Sequence, residues 1–133
     1  QQKELSAKIK ELTGGMGANV VYDPVGDSYS EPCIRATAWD GRYLVIGFAA
    51  GEIPKIPINL ALLKGMKIVG VFWGAWVGMN PVENKKNFEE LFKLHSEGKI
   101  NPEVSDSFSL DDGAKAIAHL KDRKAKGKVI ISI

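Results

Sequence analysis

The sequence predicts an α/β fold in which helices cover a parallel sheet, and two patterns in its 133 residues support this class. Three apolar runs, at residues 18–23, 42–48 and 67–72, are typical of buried strands. They are almost continuously apolar, as parallel strands covered on both faces are. Segments with helical spacing of apolar residues separate them, which favours parallel pairing because a parallel pair needs a crossover connection.

Composition excludes several other classes of protein. With 44% hydrophobic and 26% charged residues, the chain is close to the globular average, which excludes disorder, collagen and coiled coil. A single Cys excludes an internal disulfide framework and any Cys-based zinc cluster. A net charge of +2 gives no support for a nucleic-acid partner. We therefore expect a reduced, intracellular setting, with the cytoplasm as first choice and the mitochondrion left open.

The chain shows no sign of a membrane or targeting segment. Its longest apolar run, Ile68–Met79, is well short of the about 20 residues that a spanning helix needs. Gly70, Gly74 and Gly78 share the spacing of membrane dimer motifs, but a buried strand followed by a Gly-rich turn is the favoured interpretation. The first residues are polar, unlike a signal peptide, and the missing initiator Met hints that the chain was cut or processed.

Local patterns predict the first elements in order. Residues 3–12 carry apolar side chains at helical spacing before a Gly pair, which predicts a helix and its end. Residues 18–23 end in Asp-Pro and predict the first strand. Residues 30–39 predict a helix with Ser30 as its N-cap, and Asp40-Gly41 predicts the turn before the second strand.

The middle of the chain is more irregular. Residues 53–58 include two prolines, so this segment is extended but is not a central strand. Residues 59–64 predict a short helix that Gly65 ends, and the third strand follows at Lys67–Phe72.

The last part of the chain predicts a separate strand-helix-strand unit. Asn80-Pro81 begins a helix that ends near Gly98. A more polar strand follows at residues 103–108, then a helix that begins at residues 109–112, and a final strand at residues 128–133. Because Asn101-Pro102 breaks the chain before this mixed unit, we place a domain boundary near residue 100.

Each of the first three strands ends in a mixture of small and apolar residues. The segments are Asp23-Pro24-Val25-Gly26, then Gly47-Phe48-Ala49-Ala50-Gly51, then Phe72-Trp73-Gly74. In open parallel sheets ligands bind at the carboxyl ends of the strands, and small residues let a flat ligand approach the backbone. Simple turn glycines are the alternative, but three such ends in succession favour a ligand crevice.

Four segments carry a family resemblance: VVYDPVG, GRYLVIGFAAG and LLKGMKIVGVFWG in that order, and the tail RKAKGKVIISI. The chain resembles the medium-chain dehydrogenase/reductase superfamily, and within it the zinc-independent NADPH:quinone oxidoreductase branch, the zeta-crystallin-like proteins. The resemblance implies that residues 1–100 are the C-terminal half of a Rossmann-type parallel sheet with flanking helices. It implies that residues 101–133 are the closing strand-helix-strand of the GroES-like catalytic domain, and that the chain is the C-terminal part of a longer protein.

The phosphate-binding fingerprint of that fold is not found in this sequence. Its nearest candidate, Gly14-Gly15-x-Gly17, follows a predicted helix and precedes a strand, the reverse of the required context. We interpret it as a turn that ends the helix. The resemblance implies that the fingerprint, and the residue that distinguishes NADP from NAD, lie upstream.

The resemblance also implies which positions face the cofactor. They are Asp23, Val25 and Gly26 beside the adenosine half, Gly47, Phe48 and Ala49 beside the nicotinamide ribose, Phe72, Trp73 and Gly74 facing the nicotinamide and its carboxamide, and Lys128 near the closing strand. NADP(H) is the implied cofactor, NAD(H) stays open, and no metal is expected. No acid, base or nucleophile is assigned, because in this branch the cofactor performs the chemistry.

Two functions from different classes follow. The first is part of an NADPH-dependent oxidoreductase that transfers hydride to a quinone or an activated enone. The second is a non-catalytic dimerisation or nucleotide-binding fragment. In the family the third strand pairs with its counterpart in a second subunit, which implies a homodimer through Lys67–Phe72. The edge of the first strand, where further strands would pair, also predicts that the isolated chain covers it by self-association or by a rearranged sheet.

The remaining candidates are weaker. The basic run Lys121–Lys128 would meet a phosphate or, more simply, complement the carboxyl end of a helix. His95 and His119 have no acidic or Cys neighbour at ligand spacing, so we expect surface or partly packed side chains. Cys33 is expected to be a small buried hydrophobe, with a redox role as the alternative.

Overall fold

The structure is a computed structural model that describes residues 2–133 and confirms the α/β fold class with parallel strands. The chain forms two compact units that divide between Met79 and Asn80. This division reflects how compactly each part of the chain packs, and it does not test the predicted domain boundary. The boundary near residue 100 between a nucleotide-binding fold and a catalytic domain stays a prediction.

The first unit is a three-stranded sheet with helices. Its elements are α1 (Gln2–Leu12), β1 (Ala18–Asp23), a 3₁₀ turn (Asp27–Tyr29), α2 (Ser30–Ala36), β2 (Thr37–Val45), α3 (Asn59–Lys64), β3 (Lys67–Gly70) and α4 (Trp73–Met79). The strands are parallel in the order β1-β2-β3. The carboxyl ends of all three strands therefore meet at one edge of the sheet.

The second unit contains the longest described helix and a two-stranded sheet. Its elements are α5 (Pro81–Ser96), β4 (Val104–Ser109), a 3₁₀ turn (Leu110–Asp112), α6 (Gly113–Lys121) and β5 (Lys128–Ser132). The predicted strand-helix-strand unit is present, and β4 and β5 pair in parallel. Over residues 2–133, no helix combines the length and the apolar character that crossing a membrane would take.

The core of the first unit lies between the sheet and helices α2 and α3. Its buried members are Ile34, Tyr43, Leu60 and Met66. Full burial of a large apolar side chain contributes about 1.5–3 kcal/mol, so each member of this cluster stabilises the unit by an amount of this order. Cys33 packs against it as a small hydrophobe, but it is only partly buried rather than buried as expected. Burial and the nearby charge of Asp23 raise the pKa of the Cys33 thiol.

The boundary between α2 and β2 differs from the prediction. The helix ends at Ala36 rather than at residue 39, and the strand begins at Thr37. Thr37 pairs with Ala18, the chain then leaves the ladder, and pairing resumes between Val20 and Arg42. The predicted Asp40-Gly41 turn forms this excursion, with Asp40 at a φ of 55°. Long-range pairing with β1, which no local pattern contains, decides where this strand begins.

Ser30 is not the N-cap of α2. The N-cap is Tyr29, and no side chain caps the helix. The Ser30 hydroxyl instead donates to the Asp23 carboxylate at 2.9 Å. A buried carboxylate is a stronger acceptor than a neutral group, which explains why this serine turns away from the helix end.

β3 is shorter than predicted, and the Gly-rich segment after it is a helix rather than a turn. The strand ends at Gly70 opposite Val45, the last residue of β2. The amide of Val71 still donates to the carbonyl of Val45 at 3.0 Å, and α4 then begins at Trp73. The third strand ends where its pairing partner ends, which a reading of apolar residues alone does not detect.

The glycines that follow α1 end the helix, as predicted. Gly14, Gly15 and Gly17 all have positive φ. The Gly15 amide donates to the Lys10 carbonyl at 2.7 Å, which is the bond pattern of a helix-terminating turn. The Gly17 amide donates to the Thr13 hydroxyl at 3.0 Å. This segment therefore closes a helix and does not open a phosphate-binding one.

Candidate functional site

The loops that follow β1 and β2 are joined by backbone hydrogen bonds. The amides of Ile46 and Gly47 donate to the Asp23 carbonyl at 3.0 and 3.3 Å. The Ala49 amide donates to the Pro24 carbonyl at 3.0 Å, and the next amide donates to the Val25 carbonyl at 2.9 Å. Two of the three predicted site segments therefore form one continuous surface at the carboxyl edge of the sheet.

The Asp23 carboxylate lies at the centre of this surface and is buried. One oxygen, Oδ1, accepts the amides of Val25 at 2.8 Å and Gly26 at 2.9 Å. The other, Oδ2, accepts the Ser30 hydroxyl at 2.9 Å and the phenol of Tyr43 through a short hydrogen bond. Four donors thus satisfy one buried charge, as burial of a carboxylate requires.

These contacts fix the protonation of both partners. Burial by itself raises the pKa of Asp23, but hydrogen bonds from Tyr43, Gly26, Val25 and Ser30 outweigh it and bring the pKa below its ordinary value of 3.8. Burial, and then the hydrogen bond to Asp23, raise the pKa of the Tyr43 phenol. At neutral pH the carboxyl is therefore an ionised acceptor and the phenol a protonated donor.

Gly26 and Phe48 pack tightly between the two loops. Gly26 has a φ of 73°, and a Cβ built there would lie 2.7 Å from Cδ1 of Phe48. The Phe48 side chain is 38% exposed, so it presents an aromatic edge at the surface while it covers Gly26. At Gly47 an added Cβ would make only ordinary contact, 3.5 Å from the Pro24 carbonyl oxygen. Of these two positions, only that of Gly26 requires a glycine because a neighbouring atom lies too close for a side chain.

The third predicted segment lies at the same edge of the sheet, after β3. Phe72 is 80% exposed, and Trp73 is 56% exposed at the first residue of α4. Gly74 follows in the first turn, next to the Phe72 ring. This segment presents large aromatic surfaces beside the continuous surface formed by the first two.

Lys128 lies in the second unit. It is the first residue of β5, where its amide donates to the Glu103 carbonyl at 2.7 Å. Its contact with a cofactor stays a prediction.

The backbone amides of the joined loops are already engaged in hydrogen bonds. The amides of Val25, Gly26, Gly47, Ala49 and Ala50 all donate within the chain. A ligand at this edge would therefore meet aromatic and small apolar side chains rather than a nest of amide donors. Such a surface suits a flat, apolar ring better than a phosphate group.

A cavity of about 340 Å³ opens beside the 3₁₀ turn that precedes α2. Its charged lining residues are Asp27, Glu31, Glu52 and Lys55. Carboxylates outnumber the single ammonium group, so this cavity is poorly suited to a phosphate.

Sequence reasoning missed two residues of this site, Tyr43 and Ser30. Tyr43 was assigned only to an apolar strand. The available signal was its hydroxyl, because a buried tyrosine usually needs a hydrogen-bond partner. The local pattern predicts a cap at Ser30, whereas its hydroxyl donates to a carboxylate seven residues earlier in the chain.

Metal ligands do not cluster within residues 2–133, where no three His, Cys, Asp or Glu side chains come close enough to hold an ion. His119 contacts Asp106 of β4 at 3.1 Å, an acidic partner that spacing along the sequence does not reveal. A hydrogen bond from Ser105 and the interaction with His119 outweigh burial and lower the pKa of Asp106. Because a catalytic zinc needs about three protein ligands, this pair does not amount to a zinc site, and metal independence stays a prediction.

Comparison with known proteins gives consistent matches over the whole chain. A family model described as zinc-binding dehydrogenase matches residues 2–131. A quinone oxidoreductase-like protein 2 homolog from Nematostella vectensis is 37% identical over 98% of this chain and 36% of its own length. Quinone oxidoreductase-like protein 2 from Bos taurus is 34% identical over 97% of this chain and 37% of its own. The chain thus spans just over a third of the length of these relatives.

Solved structures share the fold. A probable oxidoreductase from Mycobacterium abscessus is 27% identical with a TM-score of 0.80, over 96% of this chain and 37% of that one. A mycobacterial protein solved in complex with NADPH has a TM-score of 0.83 at 22% identity, over 100% of this chain and 41% of that one, which is a likeness of fold alone.

Proposed function

We propose that this chain, which belongs to the zinc-binding dehydrogenase family, supplies part of the cofactor surface of an oxidoreductase that transfers hydride from NADPH to a quinone or an activated enone. Its relatives are named oxidoreductases, which supports the general class. The observation that carries the finer proposal is the continuous surface made by the loops after β1 and β2, with exposed aromatic residues after β3.

The chemistry of this surface fits a nicotinamide cofactor. In the proposal, Asp23, Val25 and Gly26 lie beside the adenosine half, and Gly47, Phe48 and Ala49 lie beside the nicotinamide ribose. An aromatic wall of Phe72 and Trp73 faces the nicotinamide ring and keeps water from the path of hydride transfer. The cofactor supplies the hydride when bound, and these residues position and shield it.

NADPH is the first cofactor to test, and NADH is the alternative. In the proposal, the chain contributes the C-terminal part of a longer enzyme, because it spans just over a third of its curated relatives. The Gly-rich phosphate fingerprint and the residue that selects the 2′-phosphate then lie elsewhere in that protein. A homodimer formed through Lys67–Phe72 is a second candidate function. It is supported by β3, which is an edge strand of the described sheet with Ile68 and Val69 exposed.

The decisive assay is NADPH oxidation with a quinone acceptor by the longest natural protein that carries this sequence. Consumption of NADPH that depends on the quinone is the expected result, and a rate equal to the enzyme-free background would reject the proposal. NADH in place of NADPH tests the cofactor preference. An enone in place of the quinone tests the acceptor class.

A binding experiment on the 133-residue chain complements the assay. Titration with NADPH is expected to quench tryptophan fluorescence through Trp73 at the proposed nicotinamide surface. The matched control is Trp39, which lies beside Gly65 near the amino end of β2, away from the carboxyl end where the proposed surface lies. Because Trp76 lies on the same helix, the double variant Trp73→Phe/Trp76→Phe is expected to remove most of the quenching and Trp39→Phe to retain it. The reverse pattern would show that NADPH binds elsewhere.

A further inference from the structure

We propose that Tyr43 and Ser30 are positioning residues, which set the conformation of the Val25–Gly26 loop through the carboxylate of Asp23. Their effect on a cofactor rests on the function proposed above, since that function puts this loop beside the adenosine half. Their effect on the loop itself does not depend on it.

The two oxygens of the Asp23 carboxylate have different partners. Oδ1 accepts the amides of Val25 and Gly26 and so holds the loop. Oδ2 accepts the hydroxyls of Ser30 and Tyr43, which belong to α2 and β2. The planar carboxylate therefore connects the loop on one side to a helix and a strand on the other, and a shift of one side moves the other.

Both hydroxyl donors come from rigid parts of the first unit. Tyr43 is 4% exposed and packs in the core cluster with Ile34, Leu60 and Met66. Ser30 is fully buried at the first residue of α2. Side chains held by packing have few alternative rotamers, so they impose one orientation on the carboxylate. Because both hydroxyls contact Oδ2, these two residues hold the carboxylate in the orientation in which Oδ1 accepts the loop amides.

A general contribution to stability is the competing explanation. Loss of a hydrogen bond to the carboxylate would then destabilise the whole sheet. Hydrogen exchange would become faster by the same factor at the loop amides and at the ladder amides of β1 and β2. A positioning role predicts a local effect instead. The amides of Val25 and Gly26 would exchange faster while the ladder amides, such as those in the Tyr22–Leu44 region, would not.

The test is amide hydrogen exchange on the 133-residue chain, combined with NADPH titration of the longest natural protein that carries this sequence. The variants are Tyr43→Phe and Ser30→Ala. The matched control is Tyr22→Phe, which removes the same hydroxyl from an exposed tyrosine on β1. For both variants we expect at least tenfold faster exchange at Val25 and Gly26, unchanged exchange in the ladder, and NADPH affinity weakened by about tenfold, the scale of one hydrogen bond to a charged group. The Tyr22 variant should match the wild type in all three.

Each outcome separates the inference from the proposed function. Wild-type exchange rates at Val25 and Gly26 in both variants, or an equal rise throughout the ladder, would overturn the positioning role. If the longest natural protein binds no NADPH while the variants of the 133-residue chain show the local loosening, the positioning role is supported and the proposed cofactor surface is rejected. If Tyr43→Phe does not fold, the exchange rates of Ser30→Ala decide the question, because this variant loses one hydroxyl donor to the same carboxylate oxygen.

Discussion

A Cβ placed on Gly26 would lie 2.7 Å from Cδ1 of Phe48, so the loop after β1 and the loop after β2 touch at a point with no room for a side chain. Gly26 also has a φ of 73°, a backbone conformation that side chains with a Cβ rarely adopt. Because the same two loops share backbone hydrogen bonds, this contact fixes the relation between the proposed adenosine and ribose segments.

Gly26→Ala is expected to destabilise the chain more than the same change at Gly14. Both glycines have positive φ, which costs alanine about 1–2 kcal/mol, but a Cβ at Gly14 would meet nothing within 4 Å. The extra clash with Phe48 is expected to add about 1–3 kcal/mol. Urea unfolding of the two variants measures the difference in free energy. Equal losses would show that Phe48 moves aside freely.

Asp23→Asn is expected to remove part of the acid sensitivity of folding. The pKa of Asp23 is lowered in the folded chain, so its ionised form stabilises the fold above the unfolded pKa of about 4, and this stability is lost as pH falls through the folded pKa. The variant should lose about 1–3 kcal/mol at pH 7 and show a smaller further loss on acidification. Unfolding free energies between pH 7 and pH 3 check this.

Asp111→Asn is the control for that series, since Asp111 is exposed and lies in the second unit. It should lose less stability at pH 7 than Asp23→Asn, because exposed side chains contribute little to the free energy of unfolding. If the unfolding free energy of Asp23→Asn falls with pH in parallel with that of the wild type, the assigned role of the carboxylate is contradicted.

Phe72→Ala is expected to weaken NADPH binding without affecting stability. The side chain is 80% exposed, so its removal should change the unfolding free energy by no more than about 0.5 kcal/mol. Leu62→Ala is the matched control, because Leu62 is equally exposed on α3. Isothermal titration with NADPH should show weaker binding for the first variant and wild-type binding for the second. Equal affinities would remove Phe72 from the proposed cofactor wall.

Val69→Lys is expected to prevent dimerisation through β3. Val69 is exposed on this edge strand, and a lysine there would oppose strand pairing between two copies. Light scattering at micromolar concentration should change from dimer mass for the wild type to monomer mass for the variant. Leu62→Lys, with the same charge added on α3, should stay dimeric. A monomeric wild type would exclude this dimer.

Regular elements were predictable where the local pattern was strong. The helices α1, α3 and α5 and the strands β1 and β5 lie within one or two residues of their predicted bounds at most of their ends. Their apolar spacing and their Gly or Pro limits contain the needed information. The Asp40-Gly41 turn was predictable, but the start of β2 at Thr37 was not, because it depends on pairing with Ala18, which lies far away in the sequence.

The candidate site was predictable in its location but not in its internal structure. The carboxyl ends of parallel strands meet at one edge as a matter of topology, so segments 23–26, 47–49 and 72–74 could be grouped from the sequence. The groups that donate hydrogen bonds to the Asp23 carboxylate could not be predicted from the sequence. Tyr43 lies 20 residues away in the chain, and its hydroxyl reaches the carboxylate only because β1 and β2 pair in a particular register.

The hydrogen bonds that join the two loops have a thermodynamic consequence for any ligand at this edge of the sheet. Ordering a flexible backbone costs about 1–2 kcal/mol per residue, and a loop that orders only on binding takes this amount from the affinity. Here Gly47, Ala49 and Ala50 are already held by the carbonyls of the neighbouring loop in the chain alone. The entropy of loop ordering is therefore lost when the chain folds, and a ligand that fits this surface binds to a preorganised site.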